Sequence, residues 1–367
     1  VIKVFHRCGV FLRTHAIPLV LTACGSGITA AARKPPIDTV PPLIRPAPSV
    51  HVSGNHLVDA SGATIRLRGV NRSGMEFMCA QGRGIFDGPS DSSSVRAIAQ
   101  WRVNVVRVPL NEACWLAING VNPSYAGAAY QQAVTDFVAT LNHYGIVAIV
   151  ELHWSAAGTA IPLNQQPMPD RDHSVEFWRQ LATAFKGNNA VIFDLFNEPF
   201  PDSNRDTPEA WRCWRDGGTC SGMTYQAAGM QELVTAVRTT GATNVIMLGG
   251  VQYSAGLSQW LANKPTDPLN NLATSWHVYN FSWCNARSCW DGQALPVSQQ
   301  VPLVLGELGQ DDHGNAFITS LMDWMDAMQG SYLAWTWDVW GTPLDLITNY
   351  DGTPTTYGTT FKTRFGG

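Results

Sequence analysis

From Gly54 onward, short apolar runs alternate with longer stretches in which apolar residues recur every three or four positions. The runs are TIRLRGVN, VNVVRVPL, IVAIVELHW, VIFDLFNE, NVIMLGG, LATSWHVY, VPLVLGEL and YLAWTWD. Most are nearly continuous Val, Ile and Leu, the pattern of parallel strands buried on both faces. Between them, Val134, Phe137, Val138 and Leu141 share one helical face, as do Trp178, Leu181, Ala182 and Phe185, and again Phe317, Leu321, Trp324, Met325 and Met328. Gly145, Gly187, Gly241 and Gly330 follow such helices, where a left-handed cap suits glycine. Eight runs with intervening helices predict an α/β fold, a closed (β/α)8 TIM barrel forming a single domain. The helix between the fifth and sixth runs is poorly defined, as is the stretch before Val301. An open doubly wound sheet is the alternative, but no G-x-G-x-x-G turn follows the first run.

The N-terminus breaks this pattern. Lys3, Arg7 and Arg13 precede an apolar run from Ala16 to Ala23, which is too short to span a bilayer and reads as an export signal over residues 1–24. Leu21-Thr22-Ala23-Cys24 resembles a bacterial lipobox, which implies a lipid anchor at Cys24; Ala30-Ala31-Ala32 offers an ordinary signal-peptidase site instead. Residues 25–49 are rich in Pro and Ala without an apolar period and read as an extended tether. The catalytic domain is then expected over residues 50–367.

A chain of 367 residues accommodates a barrel of roughly 250 residues with insertions. Hydrophobic residues make up 45% and charged residues 14%, which supports a large core. The net charge of −4 gives no basic excess to recruit nucleic acid or an anionic membrane. A monomer without cofactor or metal is expected. Fourteen tryptophans is a high count; the plain reading is that most fill the core, while those in loops are candidates to stack on the apolar face of a sugar ring.

Outside the leader there are six cysteines, and Cys79–Cys114, Cys213–Cys220 and Cys284–Cys289 are the expected disulfides of an exported protein. A zinc site is the rival, but no C-x-x-C pair occurs and no histidine falls at ligand spacing from these loops.

In such barrels chemistry sits at the C-terminal ends of the strands. The fourth run ends in Asn197-Glu198-Pro199 and the seventh in Gly306-Glu307-Leu308. A carboxylate after a buried apolar run is costly unless it meets solvent or a partner. Two of them converging on the barrel mouth are what glycoside hydrolysis needs, one as a protonated acid and one as an ionised group for the anomeric carbon. Either alone would more simply be a structural ion pair.

The residues around them match a known pattern. Arg107 lies in NVVRVPL, His153 in VELHW, His277 and Tyr279 in a His-x-Tyr, and Trp337 in AWTWD. With Asn197-Glu198-Pro199 and Glu307 they resemble glycoside hydrolase family 5, in strand order from the second run to the eighth. The resemblance implies a retaining endo-β-1,4-glucanase acting on β-glucan polysaccharide, with Glu198 as general acid/base and Glu307 as nucleophile. It also implies that Asn197 binds the sugar 2-hydroxyl, that Arg107 and Tyr279 stabilise the Glu307 charge, and that Trp337 floors the subsite of the attacked sugar. His277 shares a strand face with Tyr279. His153 is expected to touch substrate or orient a carboxylate, with a structural histidine as the plain alternative.

Trp154 and Trp340 are the first candidates for further sugar platforms, followed by Trp115, Trp283 and Trp290 on loops of the same face; Trp101, Trp178 and Trp324 are expected in the core. Glu151, two residues before His153, is expected deeper in the barrel as a support for Arg107. Glu112 is expected at the cleft border. A β-mannanase or xyloglucanase is the nearest rival function. A metal-dependent barrel hydrolase built on His153 and His277 is the rival of another class, but the first run ends without a His-x-His.

Overall fold

The computed structural model describes residues 45–367. Eight parallel strands close into a barrel: β1 (Arg68–Asn71), β2 (Val105–Asn111), β3 (Val147–Trp154), β4 (Val191–Asp194), β5 (Ile246–Gly249), β6 (Leu272–Tyr279), β7 (Leu303–Gly309) and β8 (Ser331–Ala334). Each overlaps one of the eight apolar runs, and each pairs in parallel with its sequence neighbour, β8 returning to β1.

The strand period of two splits the apolar residues into two cores. Leu67, Val105, Val147, Ile149, Ile192, Met247, Ala273, Val304 and Leu333 form one cluster, joined by Val50 and by Leu57 of the N-terminal hairpin His51–Val58 that follows it. The intervening residues, such as Val106, Val108, Ala148 and Val150, belong to the larger cluster with the helices. The helix faces read from the sequence are the buried ones in Ala128–His143 and Ser174–Phe185; in Ala316–Ala327, Leu321, Trp324 and Met325 are buried, whereas Phe317 is half-buried and Met328 lies just past the helix end. The two ill-defined connections prove to be a single turn at Trp260–Asn263 and a helix Arg287–Ser298 that carries Pro296 inside it. Of the four expected glycine caps, Gly145 and Gly241 take positive φ, whereas Gly187 and Gly330 do not; Gln329 holds the left-handed position before Gly330.

All three expected disulfides are present, Cys79–Cys114, Cys213–Cys220 and Cys284–Cys289. Cys79–Cys114 ties the loop after β1 to the short helix after β2. Residues 45–49, read from sequence as the end of the tether, already lie on the barrel: Ala47 N donates to Asn142 O and Val50 N to Asn189 O. The export signal, Cys24 and the rest of the tether lie outside the described residues. Among the described residues no helix is long and apolar enough to cross a membrane.

One irregularity in the barrel shapes its mouth. Ser275 pairs with Val304 and Trp276 with Leu305, but His277 then pairs with Glu307, so Gly306 is an extra residue in β7. Such a bulge re-aims the side chain that follows it. Only glycine fits there, because a Cβ would lie 2.8 Å from Ser275 Oγ and 3.0 Å from His277 Nε2.

Candidate active site

Arg107 is the hub of the barrel mouth. Its buried guanidinium donates from Nη1 to Glu307 Oε1 at 2.7 Å, from Nε to Asp194 Oδ2 at 3.0 Å, and from Nη2 to Asn197 Oδ1 at 2.9 Å. Nη1 also reaches Asn71 Oδ1 at 3.2 Å and lies 3.5 Å from Glu151. Three carboxylates around one guanidinium in a low-dielectric interior favour proton retention on some of them. Burial pushes Glu151 up to about 8 and Asp194 up to about 6, against the pull of Arg107. Glu151 therefore sits where the sequence placed it, beneath Arg107, and it also holds His153 Nδ1 at 2.5 Å.

Glu307 is fixed from three sides. Besides Arg107, the Tyr279 hydroxyl donates to Oε2 at 2.6 Å, and His277 Nδ1 lies 3.7 Å from Oε1. The same His277 Nδ1 is 3.0 Å from Glu198 Oε1. Donor atoms of Glu198, His277 and Glu307 all fall within 4.8 Å of one another. Burial and the Glu307 charge push Glu198 well above the usual carboxylate range. Burial also raises Glu307, but Arg107, His153 and the Tyr279 hydrogen bond pull the other way and favour its ionised form. Burial, with the positive charge of Arg107 second, drives His277 well below the usual histidine range, so it is neutral at pH 7. Two carboxyl groups with separated proton affinities, one able to give a proton and one able to attack, define an acid–base pair.

The tryptophans divide differently from the sequence reading. Trp337 is fully buried, packs edge-on against Trp101 at 4.8 Å, and leaves its Nε1 unpartnered. It does not face the site. Trp335, two residues earlier, is half-buried and stacks on His153 with centroids 5.8 Å apart and planes 18° from parallel. Leu333 points into the barrel and Trp335 continues that face, but β8 ends at Ala334, so the period does not extend to Trp337. Trp154 is half-buried beside Phe77 at 6.5 Å; Trp340 is 42% exposed, edge-on to Phe77, and donates from Nε1 to Asp87. Trp283 is 50% exposed. Trp115 and Trp290 are buried in helix packing and are not platforms, like Trp101, Trp178 and Trp324. Glu112 is not at a cleft border either. It is fully buried, accepts from Ser174 Oγ at 2.5 Å, and is pushed well above the usual range by burial and by neighbouring Asp170.

Sequence reasoning missed Asn71, Asp194, Gln165 and Glu76. Asn71 joins three strands, accepting from Arg107 and donating to Gly306 O and Ala334 O. Asp194 had a signal, a lone acid inside the apolar run VIFDLF. Glu76, buried in the loop after β1, accepts from Ser73 and from Gly74 N. Gln165, in the loop after β3, had no signal in sequence. Asp170, Asp172 and His173 form a second group of potential metal donors, but Gly158 and the His173 amide already engage them.

A closed (β/α)8 barrel whose mouth carries paired glutamates, one after β4 and one near the end of β7, beside a half-buried tryptophan, is the scaffold of a glycoside hydrolase. The sequence model of the family described as "Cellulase (glycosyl hydrolase family 5)" matches residues 58–342, and the chain belongs to that family. It is 22% identical over 303 residues to a mannan endo-1,4-beta-mannosidase of Salipaludibacillus agaradhaerens, covering 81% of this chain and 84% of the relative. It is 23% identical over 291 residues to Endoglucanase A of Butyrivibrio fibrisolvens, covering 77% of this chain but 57% of that one. Among solved structures, the beta-glucanase SdGluc5_26A from Saccharophagus degradans in complex with cellotetraose superposes with a TM-score of 0.68 at 19% identity, over 88% of this chain and 94% of the other.

Proposed function

We propose that the protein is an exported, retaining endo-β-1,4-glucanase that cuts cellulose or a related β-glucan by double displacement. The observation that carries this reading is the Glu198–Glu307 pair, with oxygens within 4.8 Å and proton affinities driven apart. Inverting enzymes hold their carboxyls roughly 6.5–9.5 Å apart to admit a water, whereas retaining ones hold them about 5 Å apart.

In the first step Glu307 Oε attacks the anomeric carbon while Glu198 gives its proton to the departing glycosidic oxygen. The new bond is the glycosyl ester of Glu307, and the bond broken is that to the leaving sugar. Glu307 thereby loses its charge, which is the second cause holding the Glu198 proton affinity up. Glu198, now ionised, binds protons less tightly and takes one from the incoming water, whose oxygen displaces Glu307. Arg107 and Tyr279 hold Glu307 in both states, and neutral His277 spans the two carboxyls without adding charge. Trp335, stacked on His153, supplies the floor that the sequence had assigned to Trp337. Trp154 and Trp340 extend the aromatic surface around Phe77.

Several observations support a β-linked glucan: the family, the endoglucanase relative, and the similarity of fold to a beta-glucanase bound to cellotetraose. The three disulfides support export into an oxidising compartment. The mannan endo-1,4-beta-mannosidase, which this chain covers more completely than the endoglucanase, favours β-mannan as the second reading. Reducing-sugar release from carboxymethylcellulose, mixed-linkage β-glucan, xyloglucan and mannan separates the two. The glucanase reading expects the first two to be cut fastest, with an early drop in viscosity. Faster release from mannan would overturn it.

A further inference from the structure

Both ends of the Asn197 amide are committed. Oδ1 accepts from Arg107 Nη2 at 2.9 Å, and Nδ2 donates to Gln165 Oε1 at 2.9 Å. The other end of Gln165 is also in use, since Nε2 donates to the main-chain oxygen of Glu198 at 2.9 Å. One side chain from the loop after β3 thus grips both a side chain and the backbone of the Asn197-Glu198 segment. That loop is pinned on each side of Gln165: Asn111 Nδ2 donates to Pro162 O at 3.0 Å, and Phe200 N donates to Pro167 O at 2.9 Å. Gln165 itself stays half-buried, within reach of the mouth.

An amide nitrogen carries two hydrogens. Gln165 takes one from Asn197. The other faces His153 Nε2 at 3.5 Å, too long for a good bond. His153 Nδ1 is held by Glu151, which leaves Nε2 as the ring nitrogen open to a substrate. A sugar hydroxyl placed between them would accept from Asn197 and pair with His153 Nε2. The fit depends on the rotation of the Asn197 amide, and without Gln165 only Arg107 would set it.

We propose that Gln165 is a positioning residue that sets the Asn197 amide for the 2-hydroxyl of the sugar under attack and couples that contact to the backbone of Glu198. This rests on the glycosidase reading above. It makes Gln165 a determinant of selectivity at the carbon where glucose and mannose differ, equatorial against axial.

The test pairs a residue change with a substrate change. Gln165→Met, which keeps the volume, and Gln165→Ala are assayed on an aryl β-cellobioside and on its counterpart lacking the 2-hydroxyl of the attacked sugar. The expected result is a loss of about tenfold in kcat/KM on the hydroxylated substrate, the size of one hydrogen bond. On the 2-deoxy substrate little should change, and the melting temperature should be that of the parent. Equal losses on both substrates would make Gln165 a structural staple and overturn the proposal, as would no loss on either. If the parent enzyme cleaves only an aryl β-mannobioside, the same cycle on that substrate and its 2-deoxy form tests Gln165 while the glucanase reading falls. If it cleaves neither glycoside, both fall together.

Discussion

Arg107 Nη1 lies 2.7 Å from Glu307 Oε1, and Arg107 is completely withdrawn from solvent. A buried guanidinium holding a buried carboxylate favours its ionised form and fixes its position, which is what an attacking group requires. Glu307→Gly removes the attacking atom and leaves a cavity. Hydrolysis should fall by at least about a thousandfold, and azide, small enough to enter the cavity, should restore part of it as a glycosyl azide of inverted configuration. Wild-type activity in Glu307→Gly would refute the assignment. EDTA should leave the parent rate unchanged, because the assigned chemistry runs on side chains alone.

The acid/base role of Glu198 predicts a pH signature. Its proton affinity is raised by burial and by the Glu307 charge, so the enzyme holds the required proton below that raised pKa and loses it as pH climbs through it. The alkaline limb of kcat/KM should therefore report Glu198. Glu198→Ala should remove that limb for aryl glycosides with good leaving groups, which need no proton, while activity on polysaccharide collapses. Persistence of the same limb in Glu198→Ala would assign it elsewhere.

Trp335 and Trp337 should separate function from stability. Trp335, half-buried on His153, should give a folded enzyme with impaired turnover when changed to Ala. Trp337→Ala empties a fully buried site against Trp101 and should cost about 3–5 kcal/mol of stability. Thermal melts alongside kinetics distinguish the two outcomes, and reversal of the pattern would restore the assignment read from sequence.

Glu112 predicts how stability depends on pH. Burial first, and Asp170 second, raise its pKa in the folded state above the unfolded value. The sign follows from linkage: its contribution is complete below the unfolded pKa and drains away as pH rises through the folded one, when Glu112 must carry its charge while buried. Glu112→Gln keeps the shape and abolishes the titration. Above the ordinary carboxylate range its melting temperature should decline less with rising pH than that of the parent; parallel curves would show that Glu112 does not govern this loss.

What the sequence determined by itself was whatever depends on local order: a period of two in the strand runs, a period of three to four in the helices, and close cysteine spacing for two of the disulfides. Because barrel chemistry gathers at strand ends, Glu198 and Glu307 could be placed before any coordinates; the resemblance to glycoside hydrolase family 5 added Arg107, His153, Asn197, His277 and Tyr279, and the structure brings all seven to one mouth. The tertiary structure decided what depends on where a strand stops and on which distant loop folds over it. Trp335 and Trp337 have the same local pattern, and only the end of β8 at Ala334 separates a platform from a core residue. Glu112 and Trp115 follow a strand as the site residues do, yet helix packing buries them. Gln165 acquires its role from bonds to residues more than thirty positions away. A hydrogen bond between distant loops leaves no periodicity in the chain, so it becomes visible only once the barrel has closed.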